Sequence, residues 1–197
     1  KTTDGGNTWI DISPGTGQVL YGIFFTSPLV GHATDFDGRM LKTLDGGTTW
    51  TAQFVSPHNL HGVYFTDANT GYVAGGNVGS DTGVLLKTLD AGNTWTAYPV
   101  PQGFLTDVKF SGPNKGIAVG GSVANNLGLI MKTTDAGVTW TQEAINGGPT
   151  SRQFRAFLPS AQVAYSCGLN GTILKTPVTD PCIPALTNGL TGFFPFN

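Results

Sequence analysis

Short stretches in which apolar and polar residues alternate recur along the chain, separated by clusters of Gly, Pro, Asn, Asp and Ser. Such stretches, with a period of two and turn residues at both ends, predict β-strands joined by tight connections. A first group is rich in Phe and Tyr and comprises Tyr21–Phe25, Gly62–Phe65, Thr106–Phe110 and Phe154–Leu158. A second group is rich in small residues and comprises Gly71–Gly75, Gly116–Gly120 and Val163–Gly168. No segment keeps a helical period, so the pattern predicts an all-β chain.

Two further groups of strands flank a nine-residue phrase that occurs four times. The third strands are Met40–Thr43, Val84–Thr88, Leu129–Thr133 and Thr172–Thr176, and the fourth strands include Trp50–Phe54 and Trp95–Tyr98. The phrase reads KTTDGGNTW from Lys1, KTLDGGTTW from Lys42, KTLDAGNTW from Lys87 and KTTDAGVTW from Lys132, at spacings of 41, 45 and 45 residues. A weakened fifth copy, ILKTPVTD, places its lysine 43 residues further on, at Lys175.

Four short antiparallel strands in a repeat of about 45 residues predict one blade of a β-propeller. About four such four-stranded blades are present in the chain. Small residues in the second strands fit places where neighbouring blades crowd together, whereas the Phe and Tyr residues of the first strands fill the gaps between blades. The alternative is a β-solenoid, but its rungs are shorter and do not need a meander of four strands.

Within the phrase, the spacing Thr-x-Asp-x-Gly-x-x-Trp is kept in every copy. An Asp beside Gly in a tight connection accepts hydrogen bonds from backbone amides of its own turn, and Gly adopts positive φ. The Trp begins the outer strand and lies back over the hairpin, burying ~200 Å². Because four equivalent Asp residues on four blades cannot converge on one substrate, we assign a structural role to all sixteen residues: Thr2, Asp4, Gly6, Trp9, Thr43, Asp45, Gly47, Trp50, Thr88, Asp90, Gly92, Trp95, Thr133, Asp135, Gly137 and Trp140.

This pattern resembles the Asp-box (BNR) repeat of sialidases, sortilin-type receptors, xyloglucan-cleaving glycosidases and photosystem II assembly-factor-like propellers. The form K-T-x-D-[GA]-G-x-T-W is most similar to the photosystem II assembly-factor-like group, and the resemblance covers residues 1 to about 176. It implies a propeller whose boxes lie between the third and fourth strands, away from any catalytic face, and serve the fold. It does not imply one activity, since secreted proteins unrelated to photosynthesis resemble the same group.

Composition narrows the class of protein. Charged residues make up 11% of the chain, far below the usual ~25%, and Gly and Pro are frequent at 29 and 12 residues. This composition suits a secreted, turn-rich β protein. A net charge of −2 offers no basic surface for a nucleic acid, and no apolar run reaches the ~20 residues that span a bilayer.

Candidate catalytic residues are few. A sialidase needs three Arg residues around a carboxylate, but Arg39, Arg152 and Arg155 do not occupy equivalent strand starts, and Glu143 is the only Glu. A glycosidase needs two carboxylates at the channel mouth. The candidates outside the boxes are Asp35, Asp37, Asp81 and Asp107, of which Asp107 begins an inner strand. No motif for a cofactor or a metal is found, so we expect neither.

The two ends of the chain depart from the repeat. In the fifth copy, Val178 stands at the Asp position and no Trp follows, so the last blade has three evident strands. At the other end, Thr8–Ser13 is predicted as an outer strand without a blade of its own. Either the two halves complete one blade and close a four-bladed ring, or the chain is an excerpt of a larger ring. We favour the excerpt, because Asp-box propellers usually have more blades.

The composition changes after residue 178. We therefore divide the chain into propeller repeats (1–178), a linker (179–186) and a last segment (187–197) that resembles the first strand of laminin-G-like, concanavalin A-like lectin domains. Cys167 and Cys182 are candidates for a disulfide that pins the linker to the last blade. Closing a loop of that length would contribute roughly 3 kcal/mol in the chain-entropy model.

These observations predict a secreted or cell-surface, non-enzymatic propeller that binds a protein or glycan. Propellers usually bind on the face where the first strands begin, so the candidate rim residues are His58, His61, Asp107, Arg152 and Arg155. The alternative is an Asp-box glycoside hydrolase, similar to sialidases or xyloglucanases, whose catalytic residues lie outside this segment. A third hypothesis, a photosystem II assembly factor, conflicts with the lectin-like tail.

Overall fold

A computed structural model describes residues 1–100, 102–145 and 151–176. Within these ranges the chain forms fifteen β-strands and one 3-10 turn (Leu169–Gly171), with no α-helix. The strands are β1 (Leu20–Phe25), β2 (Gly31–Asp35), β3 (Arg39–Thr43), β4 (Thr51–Phe54), β5 (Leu60–Phe65), β6 (Gly71–Asn77), β7 (Thr82–Thr88), β8 (Thr96–Val100), β9 (Phe104–Ser111), β10 (Lys115–Gly121), β11 (Gly128–Thr133), β12 (Thr141–Gln142), β13 (Gln153–Phe157), β14 (Tyr165–Gly168) and β15 (Ile173–Lys175).

The strands form four antiparallel meanders, each built from consecutive segments of the chain. Blades 1, 2 and 3 have four strands each (β1–β4, β5–β8 and β9–β12), and blade 4 has three among the described residues (β13–β15). The inner strands pack in sequence order, β1 against β5, β5 against β9 and β9 against β13. This radial arrangement confirms the predicted all-β propeller and excludes the solenoid.

The outer edges of the end blades differ from the predicted strands. Residues 8–13 do not form a strand of any sheet. Only Lys1 precedes the first box, and it exchanges two backbone hydrogen bonds with Ile10, both 2.8 Å. The segment lies against blade 1, where the indole of Trp50 donates to the carbonyl of Ile12 at 3.1 Å. The linker and the lectin-like segment lie outside the described residues.

The apolar core lies between blades. Leu60, Val63 and Phe65 of blade 2 face blade 1, and Val108 and Phe110 of blade 3 face blade 2. All five side chains are at most 5% exposed. The predicted role of the aromatic inner-strand residues as fillers of the gaps between blades therefore holds, because each blade buries its apolar face only against a neighbour.

The small residues of the second strands have a different cause from the one predicted. Gly71 lies opposite Phe65 in its own blade, and a Cβ there would come within 2.5 Å of the phenyl ring. Gly31 and Gly116 have the same relation to Phe25 and Phe110. Glycine is needed because a ring of the same blade folds over its backbone, not because a neighbouring blade approaches.

Each box is closed by its own side chains, as the box of blade 2 illustrates. The Thr88 hydroxyl donates to Asp90 Oδ1 at 2.7 Å and accepts the Gly92 amide at 2.9 Å. Asp90 accepts the backbone amide of Thr94 on Oδ1 and its hydroxyl on Oδ2, at 2.8 and 2.6 Å. The indole of Trp95 donates to the Gly92 carbonyl at 3.1 Å. The carboxylate thus uses both oxygens within its own turn.

The same threonine–aspartate bonds recur in the other three boxes, from Asp4, Asp45 and Asp135. These hydrogen bonds, first of all those from the second threonine of each box, lower the pKa of Asp45, Asp90 and Asp135 to about 2 and that of Asp4 further. The tryptophans are less uniform: Trp9 is 73% exposed. The four aspartates stand in four separate turns.

One junction between blades contains a buried imidazole. His32, on β2, is 1% exposed and stacks on Phe65 of blade 2 with ring centroids 4.2 Å apart. Its Nε2 has no hydrogen-bond partner among the described residues. Burial, and secondarily the charge of Lys42, lower the pKa of His32 to about 4. The ring is therefore neutral at pH 7 and is costly to protonate in place.

We predict that Thr88→Val lowers the free energy of unfolding by about 1–3 kcal/mol, because the buried Gly92 amide loses its acceptor. Thr88→Ser keeps the hydroxyl and is the matched control. Urea titration of both variants measures the effect. Equal stability of Thr88→Val and the parent would show that the box does not hold the turn.

We also predict that His32 makes the protein less stable as the pH falls from 6.5 to 4. The folded state binds fewer protons than the unfolded state in this window, so the free energy of unfolding decreases as the pH is lowered. In His32→Phe this part of the pH dependence should disappear, while His58→Asn, in a loop, should retain it. Urea midpoints at several pH values give the result, and an unchanged slope in His32→Phe would contradict the assignment.

Candidate functional site

Each of the four inner strands begins with a β-bulge at the same place. The register of pairing shifts between Leu20 and Gly22, between Leu60 and Gly62, and at the corresponding points of β9 and β13. A bulge turns one extra side chain away from the regular alternation of the strand. The extra residues are Tyr21, His61, Thr106 and Phe154.

These bulge residues contact one another from blade to blade. The rings of Tyr21 and His61 meet edge to face with centroids 4.9 Å apart. His61 Nδ1 lies 2.7 Å from the Leu105 carbonyl oxygen and donates to it, since a carbonyl only accepts. Thr106 donates its hydroxyl to the Gln153 carbonyl at 2.9 Å. We define the inner-edge strip as Tyr21, His61, Thr106, Phe154 and Arg155.

The strip combines exposed aromatic rings with one guanidinium. Tyr21 and Phe154 are 42% and 38% exposed. Arg155 is exposed and donates from Nη1 to the Phe154 carbonyl at 3.0 Å. It takes part in none of the ion pairs found among the described residues. Phe36 extends the aromatic surface, with its ring centroid 6.4 Å from that of Tyr21.

The imidazole of His61 is held in one form. Burial lowers its pKa, the charge of Arg155 adds to that effect, and the hydrogen bond to Leu105 opposes it. The ring is neutral at pH 7, with its proton on Nδ1. Its Nε2 is therefore an acceptor beside the donor Arg155.

The predicted rim residues do not all come together. His61 and Arg155 lie on the strip. His58 lies in the loop before β5, with its Nδ1 3.3 Å from the Ser56 hydroxyl. Arg152 is half-buried against Gly121, close enough that a Cβ on that glycine would come within 2.5 Å of the arginine Cγ.

Asp107 is buried instead of exposed on the rim. It is 3% exposed, and its Oδ2 accepts the backbone amide of Ala156 in blade 4 at 3.1 Å. Its Oδ1 accepts the Lys109 ammonium at 2.6 Å and the Val108 amide at 3.0 Å. The carboxylate faces the junction between blades 3 and 4 because the bulge places Thr106, not Asp107, at the inner edge.

The other candidate carboxylates are also occupied. Asp35 is fully buried, and its Oδ1 accepts the backbone amides of Asp37 and Arg39 at 3.0 and 2.8 Å. Arg39 pairs with Asp37 at 2.7 Å. Asp81 bonds the Ser122 hydroxyl and the Val123 amide of blade 3. In the described part of the chain, no group of three or more His, Cys, Asp or Glu residues could hold a metal ion.

Two remaining expectations concern the end of the chain and the membrane. Cys167 is exposed on β14, while Cys182, its candidate disulfide partner, lies outside the described residues. None of the helical segments in the described ranges is long and apolar enough to cross a membrane.

The sequence predicted these strands but not the bulges, and so it missed Tyr21, Thr106 and Phe154. A signal was present. Leu60 and Val63 are both buried although they are three positions apart, a spacing that puts residues of a regular strand on opposite faces. An extra residue between them restores the match.

Comparison with known proteins gives one family and several similar structures. The family model described as photosynthesis system II assembly factor YCF48 matches residues 1–140. The sequence has no match among curated proteins.

Three solved structures are similar in fold. A YCF48 bound to a D1 peptide is 18% identical, with 85% of this chain and 70% of that chain covered and a TM-score of 0.54. YCF48 from Cyanidioschyzon merolae is 21% identical, with coverages of 83% and 55% and a TM-score of 0.63. The GH74 enzyme of Niastella koreensis is 19% identical, with coverages of 87% and 32% and a TM-score of 0.70. This chain therefore spans only part of each.

We predict that Asp107→Ala lowers the free energy of unfolding by about 1–3 kcal/mol, because the buried Ala156 amide loses its acceptor. Asp107→Asn keeps a side-chain oxygen for that amide and should lose less. Thermal and urea unfolding measure both variants. If Asp107→Ala were as stable as the parent, the residue would not join the two blades.

Proposed function

Because this chain belongs to the photosynthesis system II assembly factor YCF48 family, we propose that it is a non-enzymatic propeller that binds an extended segment of a protein partner along the inner-edge strip. The proposal concerns this segment of the propeller. It extends to a secreted or cell-surface location, which the low content of charged residues supports.

The single observation that carries the proposal is the unpaired Arg155 between exposed aromatic rings. An extended peptide presents backbone carbonyls and side chains alternately. The guanidinium can donate to carbonyls or a carboxylate, and His61 Nε2 can accept a backbone amide. Tyr21 and Phe154 offer apolar surface at low cost in conformational entropy.

The similar structures support a peptide as the occupant. One of them is a YCF48 bound to a D1 peptide, so a propeller of this fold can hold a peptide. At 18% identity that likeness does not identify the partner of this chain.

A glycan is the second candidate, favoured by the neighbouring exposed rings of Tyr21 and Phe36 on which a sugar could stack. Hydrolysis of that glycan has less support. A glycosidase needs two carboxylates at the reacting bond, and Asp35, Asp81 and Asp107 are each engaged in bonds within or between blades.

The test is binding to an array of short peptides of varied charge, alongside an array of glycans. We expect peptide binding that weakens roughly tenfold in Tyr21→Ala and in Arg155→Met, the loss typical of a central contact residue. Arg155→Lys should keep part of the affinity. Leu89→Ala is the control, since Leu89 is exposed within the third box and lies away from the inner strands.

Unfolding midpoints of all four variants separate lost binding from lost stability. Binding only to glycans, with the same loss in Tyr21→Ala, would replace the peptide by a sugar ligand. Binding that is unchanged in both strip variants would remove the strip from the function.

A further inference from the structure

The last aromatic residue of each inner strand forms a repeated pair with the box tryptophan of its blade. The rings of Phe25 and Trp50 and those of Phe65 and Trp95 meet edge to face, with centroids 6.3 Å apart in both pairs. Phe110 and Trp140 in blade 3 repeat the arrangement at 6.0 Å. One face of each Phe ring is left for another group to cover.

In two of the three pairs, the preceding blade covers that face. His32 of blade 1 stacks on Phe65 with a centroid distance of 4.2 Å, and Tyr72 of blade 2 stacks on Phe110 at 3.9 Å. The Tyr72 hydroxyl also donates to the Ala136 carbonyl in the box of blade 3 at 2.7 Å. As a result Phe65 and Phe110 are 4% and 3% exposed.

Blade 1 has the same face without a cover among the described residues. Phe25 is 37% exposed. Leu20 and Ile23 are 41% and 63% exposed, whereas their counterparts in blade 2, Leu60 and Val63, are 0% and 5% exposed. We call Leu20, Ile23 and Phe25 the open face of blade 1.

Blade 4 carries a covering residue that is not used. Tyr165 pairs across the ladder with Phe157 as Tyr72 pairs with Tyr64, so it holds the position of Tyr72. Lys175 Nζ lies 5.7 Å from the Tyr165 ring centroid, as Lys87 Nζ lies 5.8 Å from that of Tyr72. Tyr165 and Phe157 are 36% and 63% exposed, and we call this pair the open face of blade 4.

The segment before blade 1 leaves room for three strands. Lys1 Nζ donates to the Gly46 carbonyl and the Trp50 indole to the Ile12 carbonyl, so the segment touches the box of blade 1. In the same way Lys42 and Gln53 of blade 1 reach Asn93 in the box of blade 2. The segment therefore lies where the outer part of a preceding blade belongs, and blade 4 has three strands to place inside it.

We propose that the 197-residue chain binds a second copy of itself head to tail, with the open face of blade 4 of one copy packed on the open face of blade 1 of the other. Tyr165 stacks on Phe25 of the second copy and donates its hydroxyl to the Gly46 carbonyl there. Lys175 takes over the backbone pairing with Ile10 that Lys1 makes. Two such contacts close a ring of eight blades.

A second copy is the occupant because one chain carries both halves of the contact. The junctions inside the chain show how the two kinds of face fit, and the Tyr165–Lys175 pair repeats the Tyr72–Lys87 pair of the blade 2 junction. The contact lies at the ends of the array of blades and does not depend on the proposed function.

The first test is the mass in solution by light scattering and sedimentation equilibrium. We expect about twice the 20.6 kDa of the chain. Tyr165→Ala and Ile23→Asp should each raise the dissociation constant roughly tenfold or more. Leu89→Asp, at an exposed position in the third box, is the control and should leave the mass unchanged. Circular dichroism checks that each variant is folded.

The second test mixes two single-cysteine proteins, both carrying Cys167→Ser and Cys182→Ser. One carries Phe25→Cys and the other Tyr165→Cys. A short bis-maleimide should join them into a product of twice the chain mass. A folded parent that stays monomeric at high concentration, or a mixture that gives no joined product while a chain with both cysteines links to itself, would overturn the proposal.

Discussion

The fold depends on a constraint that no blade meets alone: the apolar face of an inner strand is buried only by the blade beside it. Phe65 is a clear case. Its own blade supplies Trp95 at the edge of the ring and Gly71 behind it, and only His32 of the preceding blade covers the remaining face. Since each blade leaves one face for the next, the cost of an uncovered ring moves along the array to its ends.

The two ends of each inner strand have different tasks. At the box end, the same threonine and aspartate hydrogen bonds recur in every blade, and their oxygens are used up inside one turn. At the bulge end, the backbone repeats but the side chain changes, from Tyr21 to His61 to Thr106. A fixed backbone position with a variable side chain is what a binding surface on a rigid scaffold requires.

The polar side chains near the strip mostly serve junctions. His61 ties blade 2 to blade 3, Thr106 ties blade 3 to blade 4, and Asp107 adds a second bond at the same junction. Carboxylates used in this way hold the blades at a set angle and are poor candidates for acid–base catalysis. Arg155, which has no such carboxylate partner among the described residues, is the group left for recognition.

The sequence by itself determined the repeat, the strand types and the chemistry of the box, because these depend on residues close together in the chain. The period of 45 residues and the Thr-x-Asp-x-Gly-x-x-Trp spacing were sufficient for the blade. Only the tertiary structure decided which residues reach the inner edge. A bulge shifts the alternation by one residue, so Thr106 faces inward and Asp107 turns into a junction. That outcome depends on contacts with another blade, which local periodicity does not contain.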